Sequence, residues 1–237
     1  MAADDHGHWV EATIAGEAMH LLAARALYWP RMRRLFLSDL HLGKADVFRR
    51  AGIGLPRGGT HGDLQRLADA VAISGATSVW ILGDVVHGAV NDSAWRHDWA
   101  EWRDAHPHVD AAALSGNHDR ALAGAGLDVE LLGEAFDVGP FALRHEPCVV
   151  EGLHVLSGHL HPCVGVPGLG PRRWPVFWLQ PRTTVLPAFS EFTGGCQVEA
   201  SRSDGLVVCA AGTAAWIRRP PASTRDEPAP SRRRRGA

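Results

Sequence analysis

"GNHDR", residues 116–120, closes the largely apolar run from Val109 to Leu114, so a strand ends on an amide, an imidazole and a carboxylate in succession. Asn117, His118 and Asp119 are poor strand formers and costly to bury unpaired. Either they cap a turn at the surface, or they face something that offsets their desolvation. The same form recurs. "LFLSDLH" (35–41), "VWILGD" (79–84) and "LHVLSGHLH" (153–161) are apolar stretches that stop at Ser or Gly and give way to Asp or His. Short apolar runs closed in this way read as strands buried on both faces. Four strands thus deliver polar groups at their carboxyl ends, where open α/β sheets place their sites.

Helical patterns lie between them. In "THGDLQRLADAVAISG" (60–75), Leu64, Leu67, Ala68, Val71 and Ala72 fall at i, i+3, i+4, i+7 and i+8, which predicts an amphipathic helix. Thr60 and Asp63 read as its N-terminal capping box and Gly75 as its stop. Trp95, Trp99 and Trp102 predict a second helix, from about Ser93 to Arg103, with the indoles in the core. Alternating strands and helices predict an α/β protein with a largely parallel inner sheet and helices outside. The opening stretch, 9–37, reads as edge strands around a turn at Pro30, and the Pro- and Gly-broken stretches from Gly168 onward read as a second sheet. Residues 1–219 read as one domain, and 220–237, ending "PSRRRRGA", as a disordered basic tail.

Composition narrows the function classes. At 237 residues, 46% apolar and 21% charged, the chain can bury a sizeable core. A formal net charge of −2 gives no global attraction to nucleic acid or anionic lipid, so any contact with phosphate must be local. Cysteines 148, 163, 196 and 209 form no Cys-x-x-Cys pair, and the opening residues lack the layout of a signal peptide, so a reducing, cytoplasmic setting is expected. No apolar run approaches the roughly 18 residues of a membrane span.

Asp39 and His41 are one residue apart, so on an extended backbone their side chains share a side. Asp84 follows the second of these strands, Asn117 and His118 the third; His145 stands in "RHEP", and His159 and His161 in "SGHLHP". Taken singly, each has a bland reading, as a turn residue or a satisfied histidine. Arriving in one order, each at the end of a strand, they form one set of oxygen and nitrogen donors. Without a thiolate, the set suits two divalent transition ions better than a structural zinc.

"SDLHLGK", "LGDVVHG", "GNHDR", "RHEP" and "SGHLHP" resemble the five blocks of the calcineurin-like metallophosphoesterase superfamily. "FRRAGIGLPRGGTHGDLQRL" (48–67) and "LPAFSEFTGG" (186–195) further resemble segments of the ligase-associated DNA damage response endonucleases, the PdeM type. The resemblance implies a four-layer α/β/β/α sandwich, two mixed sheets flanked by helices. It implies that Asp39, His41 and His161 hold one metal, that Asn117, His145 and His159 hold the other, and that Asp84 bridges both. His118 would be the catalytic acid and Asp119 would orient it. The second block in the superfamily often ends in Asp, where this chain has His87; that residue reads as a neighbour of the ligands rather than a ligand.

The implied function is a dimetal phosphodiesterase using Mn²⁺, with Zn²⁺ or Fe as alternatives. DNA would be its substrate in repair, and an ATP-dependent DNA ligase and a helicase would be functional partners. A small-molecule phosphatase or pyrophosphohydrolase could use the same core, whereas an inactive scaffold would need no acid at His118. Arg120, beside the metal block, is the expected substrate-binding residue; Arg49, Arg50, Arg57, Arg172 and Arg173 are further candidates, and the terminal arginine run could add non-specific attraction.

Overall fold

The computed structural model describes residues 7–50, 52, 59–87, 94–119, 122–191 and 193–217, without the side chain of Arg50. The expected basic tail lies outside the described residues. A first sheet begins with an antiparallel meander, β1 (Trp9–Ile14), β2 (Glu17–Leu22), β3 (Leu27–Trp29) and β4 (Arg34–Leu37), with a 3₁₀ turn at Pro30–Met32 before β4. Helices α1 (Lys44–Arg50) and α2 (Gly59–Ser74) follow, then β5 (Ser78–Ile81), α3 (Ala94–Ala105), β6 (Asp110–Ala113) and β7 (Glu130–Leu131). From β4 to β7 the pairing is parallel, the inner sheet the sequence predicts.

Period-two alternation assigns each strand's side chains to two layers. Leu35 and Leu37 of β4 and Val79 and Ile81 of β5 join the cluster formed with Leu64, Leu67 and Val71 of α2 and the three tryptophans of α3. Between them, Phe36 faces the opposite way and packs with Trp29, Phe141, Leu156 and Phe177, between the two sheets. The tryptophan stripe is core, as its spacing predicts. Asp63 is different: α2 starts at Gly59, and this buried carboxylate accepts hydrogen bonds from Arg66 Nη2 (2.6 Å) and the Glu191 N–H (3.2 Å) instead of closing a capping box.

The second sheet starts earlier than Gly168. Its strands are β8 (Ala135–Val138), β9 (Phe141–Arg144), β10 (His154–Ser157), β11 (Pro162–Gly165), β12 (Arg173–Leu179), β13 (Thr183–Val185), β14 (Cys196–Gln197), β15 (Gly205–Ala210) and β16 (Thr213–Trp216). Spatial order is β14-β11-β12-β13-β10-β9-β8, with β15 and β16 branching from β12, and both parallel and antiparallel pairs occur. The two mixed sheets face each other as the expected sandwich requires. No α-helix follows α3 among the described residues, and a third apolar cluster is built by Val164, Val176, Leu206 and Val208 from β11, β12 and β15.

The sheets are joined where the site lies. Ser38, just past β4, bridges Ala188, just past β13, and Phe189 N–H donates to the Ser38 carbonyl at 2.8 Å. Because Phe36 is fully buried between the sheets, Phe36→Ala should cost about 3–5 kcal/mol and Phe36→Leu markedly less. Denaturant unfolding of the two variants checks this; equal losses would show that the site collapses around the missing ring.

Candidate metal centre

Asp39, His41, Asp84, His159 and His161 all have left-handed backbones, with φ of 58°, 48°, 53°, 66° and 48°. Such conformations are unfavourable for side chains larger than glycine and persist only where the surroundings over-determine them. Here the determinants are visible. Asp39, wholly buried, accepts from Ser38 Oγ (2.6 Å) and the His159 N–H (3.1 Å) on Oδ2, while Oδ1 lies 3.0 Å from His161 Nε2. Asp84 Oδ1 accepts the His118 N–H at 3.0 Å. Two glycines are required by close approach: a Cβ at Gly116 would strike the Asp84 carboxylate, and one at Gly158 would strike Ser38 and Asp39. The Gly in "SGNHD" and in "SGHLH" is thereby accounted for.

Two donor groups form. Ligand atoms of Asp39, His41 and His161 lie within 4.8 Å of one another, as do those of Asp39, Asp84 and His145. Around His145 Nε2 stand Asn117 Oδ1 at 2.9 Å, His159 Nδ1 at 3.2 Å and Asp84 Oδ2 at 3.5 Å. Asp84 Oδ2 is also 3.8 Å from His41 Nε2, so this carboxylate faces both groups. His41 is buried, and neither of its ring nitrogens has a hydrogen-bond partner among the described residues. A buried imidazole left unpaired amid carboxylates fits a cation that the ring would ligate.

The electrostatics agree. Burial and the Lys44 charge hold His41 down at about 3, despite Asp39 and Asp84, so the ring is neutral at neutral pH and keeps one nitrogen lone pair free. Burial would lower His145, but its hydrogen bonds with Asp84 and the Leu82 carbonyl, and the carboxylate charges, lift it to about 9. Burial would raise Asp84, yet His145, the His118 N–H and the nearby imidazoles bring it down to about 2. His145 Nδ1 is 2.8 Å from the Leu82 carbonyl and His161 Nδ1 is 2.9 Å from the Gly194 carbonyl, which leaves Nε2 of each ring turned to the carboxylates.

Other residues fall around this centre. His118 is exposed, its ring 5.7 Å from that of His41 and 5.0 Å from that of His87. Asp119 does not bond the His118 ring: its carboxylate accepts the N–H groups of Val86 (2.9 Å) and Gly116 (2.8 Å), so it fixes the loop that carries His118. Arg120 and Arg57 lie outside the described residues, as does the side chain of Arg50. Three contributors were missed from the sequence. Lys44 acts electrostatically on Asp39, Asp84, His41 and His87; Ser38 orients Asp39; and the Gly194 carbonyl orients His161. Lys44 and Ser38 stand inside the "SDLHLGK" block, which was the available signal; a backbone carbonyl gives none.

The calcineurin-like phosphoesterase family model matches residues 32–158, a span that holds most of these donors. The chain belongs to that family. Its structure is similar to the crystal structure of Pseudomonas putida nuclease MPE, with a TM-score of 0.76 and 32% identity over 88% of this chain and 100% of that one. A looser likeness, TM-score 0.44 and 15% identity over 78% of this chain and 97% of the other, links it to Yfce, a phosphoesterase from E. coli. No curated protein sequence matches it significantly. Calcineurin-like phosphoesterases bind a dimetal centre, and this chain is a metal-dependent phosphoester hydrolase.

Metal removal should reveal the protonated His145. Its folded pKa of about 9 exceeds the unfolded value, so its contribution is full below about pH 6.5 and is lost as pH rises through 9. The Asp84 contribution is present above about pH 4 and is lost as pH falls through about 2. Chelated protein should therefore lose melting temperature, by on the order of a few °C, between pH 6.5 and 9. Metal-loaded protein, with Nε2 given to an ion, should not show that step. Parallel melting curves for the two forms would exclude a shared proton and metal position.

Proposed function

We propose that the protein is a dimetal phosphodiesterase that cleaves nucleic acid, as a DNA endonuclease linked to repair. The observation that carries the reading is the arrangement of His118: an exposed imidazole on a loop bolted to the donor set through its own N–H and through Asp119, with its ring in no hydrogen bond among the described residues. Such a group can move a proton while buried neighbours hold ions. In this reading Asp39, His41 and His161 hold one ion, Asn117, His145 and His159 the other, and Asp84 faces both. The paired cations, when bound, neutralise phosphate oxygens and lower the pKa of a water to near neutrality. His118 then protonates the departing oxygen as general acid. Asp119 acts by holding the loop.

Support for nucleic acid as the substrate comes from the likeness to a nuclease at 32% identity. Support for repair, and for functional association with a DNA ligase and a helicase, comes from the PdeM-type segments at 48–67 and 186–195. Imidazole-rich donors favour Mn²⁺, or Zn²⁺ or Fe, over Mg²⁺. Four free cysteines fit a reducing cytoplasm, and no helix among the described residues is long and apolar enough to cross a membrane. The domain is taken as residues 1–219, with 220–237 as a tail.

A hydrolysis panel on metal-reconstituted protein tests the substrate: a mononucleotide, a cyclic nucleotide, a pyrophosphate, and single-stranded and duplex DNA. Internal cleavage of DNA is expected; activity confined to the small compounds would turn the reading into a phosphatase or pyrophosphohydrolase. Excess chelator should abolish hydrolysis and Mn²⁺ should restore it better than Mg²⁺.

The acid is tested by leaving-group dependence. His118→Ala should slow DNA cleavage by about 10²–10⁴-fold. On bis-nitrophenyl phosphate, whose phenolate leaves without a proton, the loss should be much smaller at unchanged metal content. Equal losses on both substrates would remove His118 from the acid role, and loss of one metal would make it a ligand.

A further inference from the structure

Helix α2 carries a charge into the protein interior. Its inward face is otherwise apolar, with Leu64, Leu67 and Val71 in the core beside the three tryptophans of α3, yet Asp63 is only 3% exposed. A carboxylate there is costly unless its partners are fixed. One partner is Arg66, a helical turn on, whose Nη2 lies 2.6 Å from Asp63 Oδ1; the other is the Glu191 N–H at 3.2 Å. An apolar residue at 63 could be buried as well and would offer neither contact. What the pair adds is placement of the chain around Glu191.

Two arginines grip that chain. Arg66 Nη2 also donates to the Phe189 carbonyl, its guanidinium sits 4.6 Å from the centroid of the Phe189 ring, and Nη1 lies 3.7 Å from Glu191 Oε1. Arg25 Nη1 donates to the Phe189 and Ser190 carbonyls at 3.3 Å each. The N–H groups of the same residues face the metal centre. Phe189 N–H donates to the Ser38 carbonyl at 2.8 Å and Ser190 N–H to the Asp39 carbonyl at 3.2 Å. Thr193 Oγ1 donates back to the Ser190 carbonyl at 2.8 Å, and His161 Nδ1 donates to the Gly194 carbonyl at 2.9 Å. On its outer flank the segment borders a recess of about 250 Å³ beside His161, lined also by Arg25 and Arg172, so solvent rather than packing lies there. Its position therefore depends on the inner contacts.

We propose that Asp63 and Arg66 are positioning residues for one of the two ions, the one assigned to Asp39, His41 and His161. The segment they hold touches two of those three donors, one at the Asp39 backbone and one at the His161 ring. It bonds none of Asn117, His145 and His159 among the described residues. Loosening it lets the spacing of Asp39 Oδ1 and His161 Nε2, 3.0 Å, drift, while the other donors keep their own contacts. Neither positioning residue touches ion or substrate. The inference rests on the ligand assignment given under the proposed function and adds to it a determinant outside the donor set.

The test dialyses full-length wild type, Arg66→Met, Arg66→Lys and Asp63→Asn against a series of free Mn²⁺ concentrations and counts bound metal by elemental analysis. Melting of the chelated proteins is measured in parallel. Arg103→Met is the stability control, because Arg103 makes the same kind of contacts on α3, to Asp128 at 2.9 Å and to the Val109 carbonyl at 2.6 Å. His161→Ala is the ligand control. In Arg66→Met and Asp63→Asn one Mn²⁺ should bind about tenfold or more weakly, the scale on which groups behind a ligand act, with the other unchanged. Lys at 66 keeps the charge but not the fork, so it should recover the affinity only in part; should Arg66→Met not fold, Arg66→Lys carries the same comparison. Hydrolysis of bis-nitrophenyl phosphate by the variants should need correspondingly more Mn²⁺ and reach the wild-type kcat at saturation. If both ions bind the variants as they bind wild type, or weaken together no more than in Arg103→Met, the pair is a fold contact only and the proposal falls; the ligand assignment then stands, provided His161→Ala selectively loses one ion. His161→Ala binding both ions as wild type does would overturn the ligand assignment and the proposal with it.

Discussion

The carboxylate of Asp39 is the point on which the rest of the structure depends. It is wholly buried, and a buried anion is tolerated only when its lone pairs are satisfied. Oδ2 accepts hydrogen bonds from both sheets, from the Ser38 hydroxyl at the end of β4 and from the His159 N–H in the loop after β10, while Oδ1 has no hydrogen-bond partner among the described residues and lies 3.0 Å from His161 Nε2, where a cation would be shared. Meeting that requirement forces the two strand ends together, so closely that only glycine fits at 158. The 188–190 segment completes the seam through the Ser38 bridge. Burying the interlayer cluster around Phe36 and satisfying Asp39 are therefore two aspects of one sheet-on-sheet arrangement.

The left-handed backbones at Asp39, His41, Asp84, His159 and His161 belong to the same constraint. Each side chain is turned inward at the cost of a conformation that a free chain would avoid, of order 1–3 kcal/mol apiece. Asp39 and Asp84 face imidazoles of two kinds: His145 is held in its charged form by Asp84, whereas burial and Lys44 keep His41 neutral. Cations that bind the folded arrangement and not the unfolded chain stabilise it by mass action.

Much of this was legible because strand ends carry an unambiguous pattern. Leu35 to Leu37 and Val79 to Ile81 are apolar on both faces, and only strands sandwiched between a helical layer and another sheet have that need. Asp39, Asp84 and Asn117 follow such strands at once, so their placement was readable. The membership of β10 in the second sheet was not, since "LHVLSGHLH" has the same local form as the first-sheet strands and only its partners, β9 and β13, distinguish it. Asp63 misled for a related reason. Its spacing from Thr60 mimics a cap, but its partners, Arg66 and the Glu191 N–H, are set by tertiary packing. The recess beside His161 joins residues 25, 161, 172 and 191, too far apart in the chain for any local pattern to show.

The centre has a depth gradient that gives it a direction. Asp39, His41, Asp84 and His145 are buried, His159 and His161 are half-buried, and Asn117 and His118 are exposed. Ions held by such a set would present their open positions toward the exposed side, so a phosphate must approach past Asn117, His118 and His161. The buried donors then serve any phosphoester equally. Discrimination must arise at the rim, where side chains are free to meet what lies beyond the scissile group. On the His161 flank that rim carries the exposed Arg172 and Arg173, which pair with no carboxylate among the described residues. The donors and the rim thus lie along one axis, from the rigid seam between the sheets to its solvent edge.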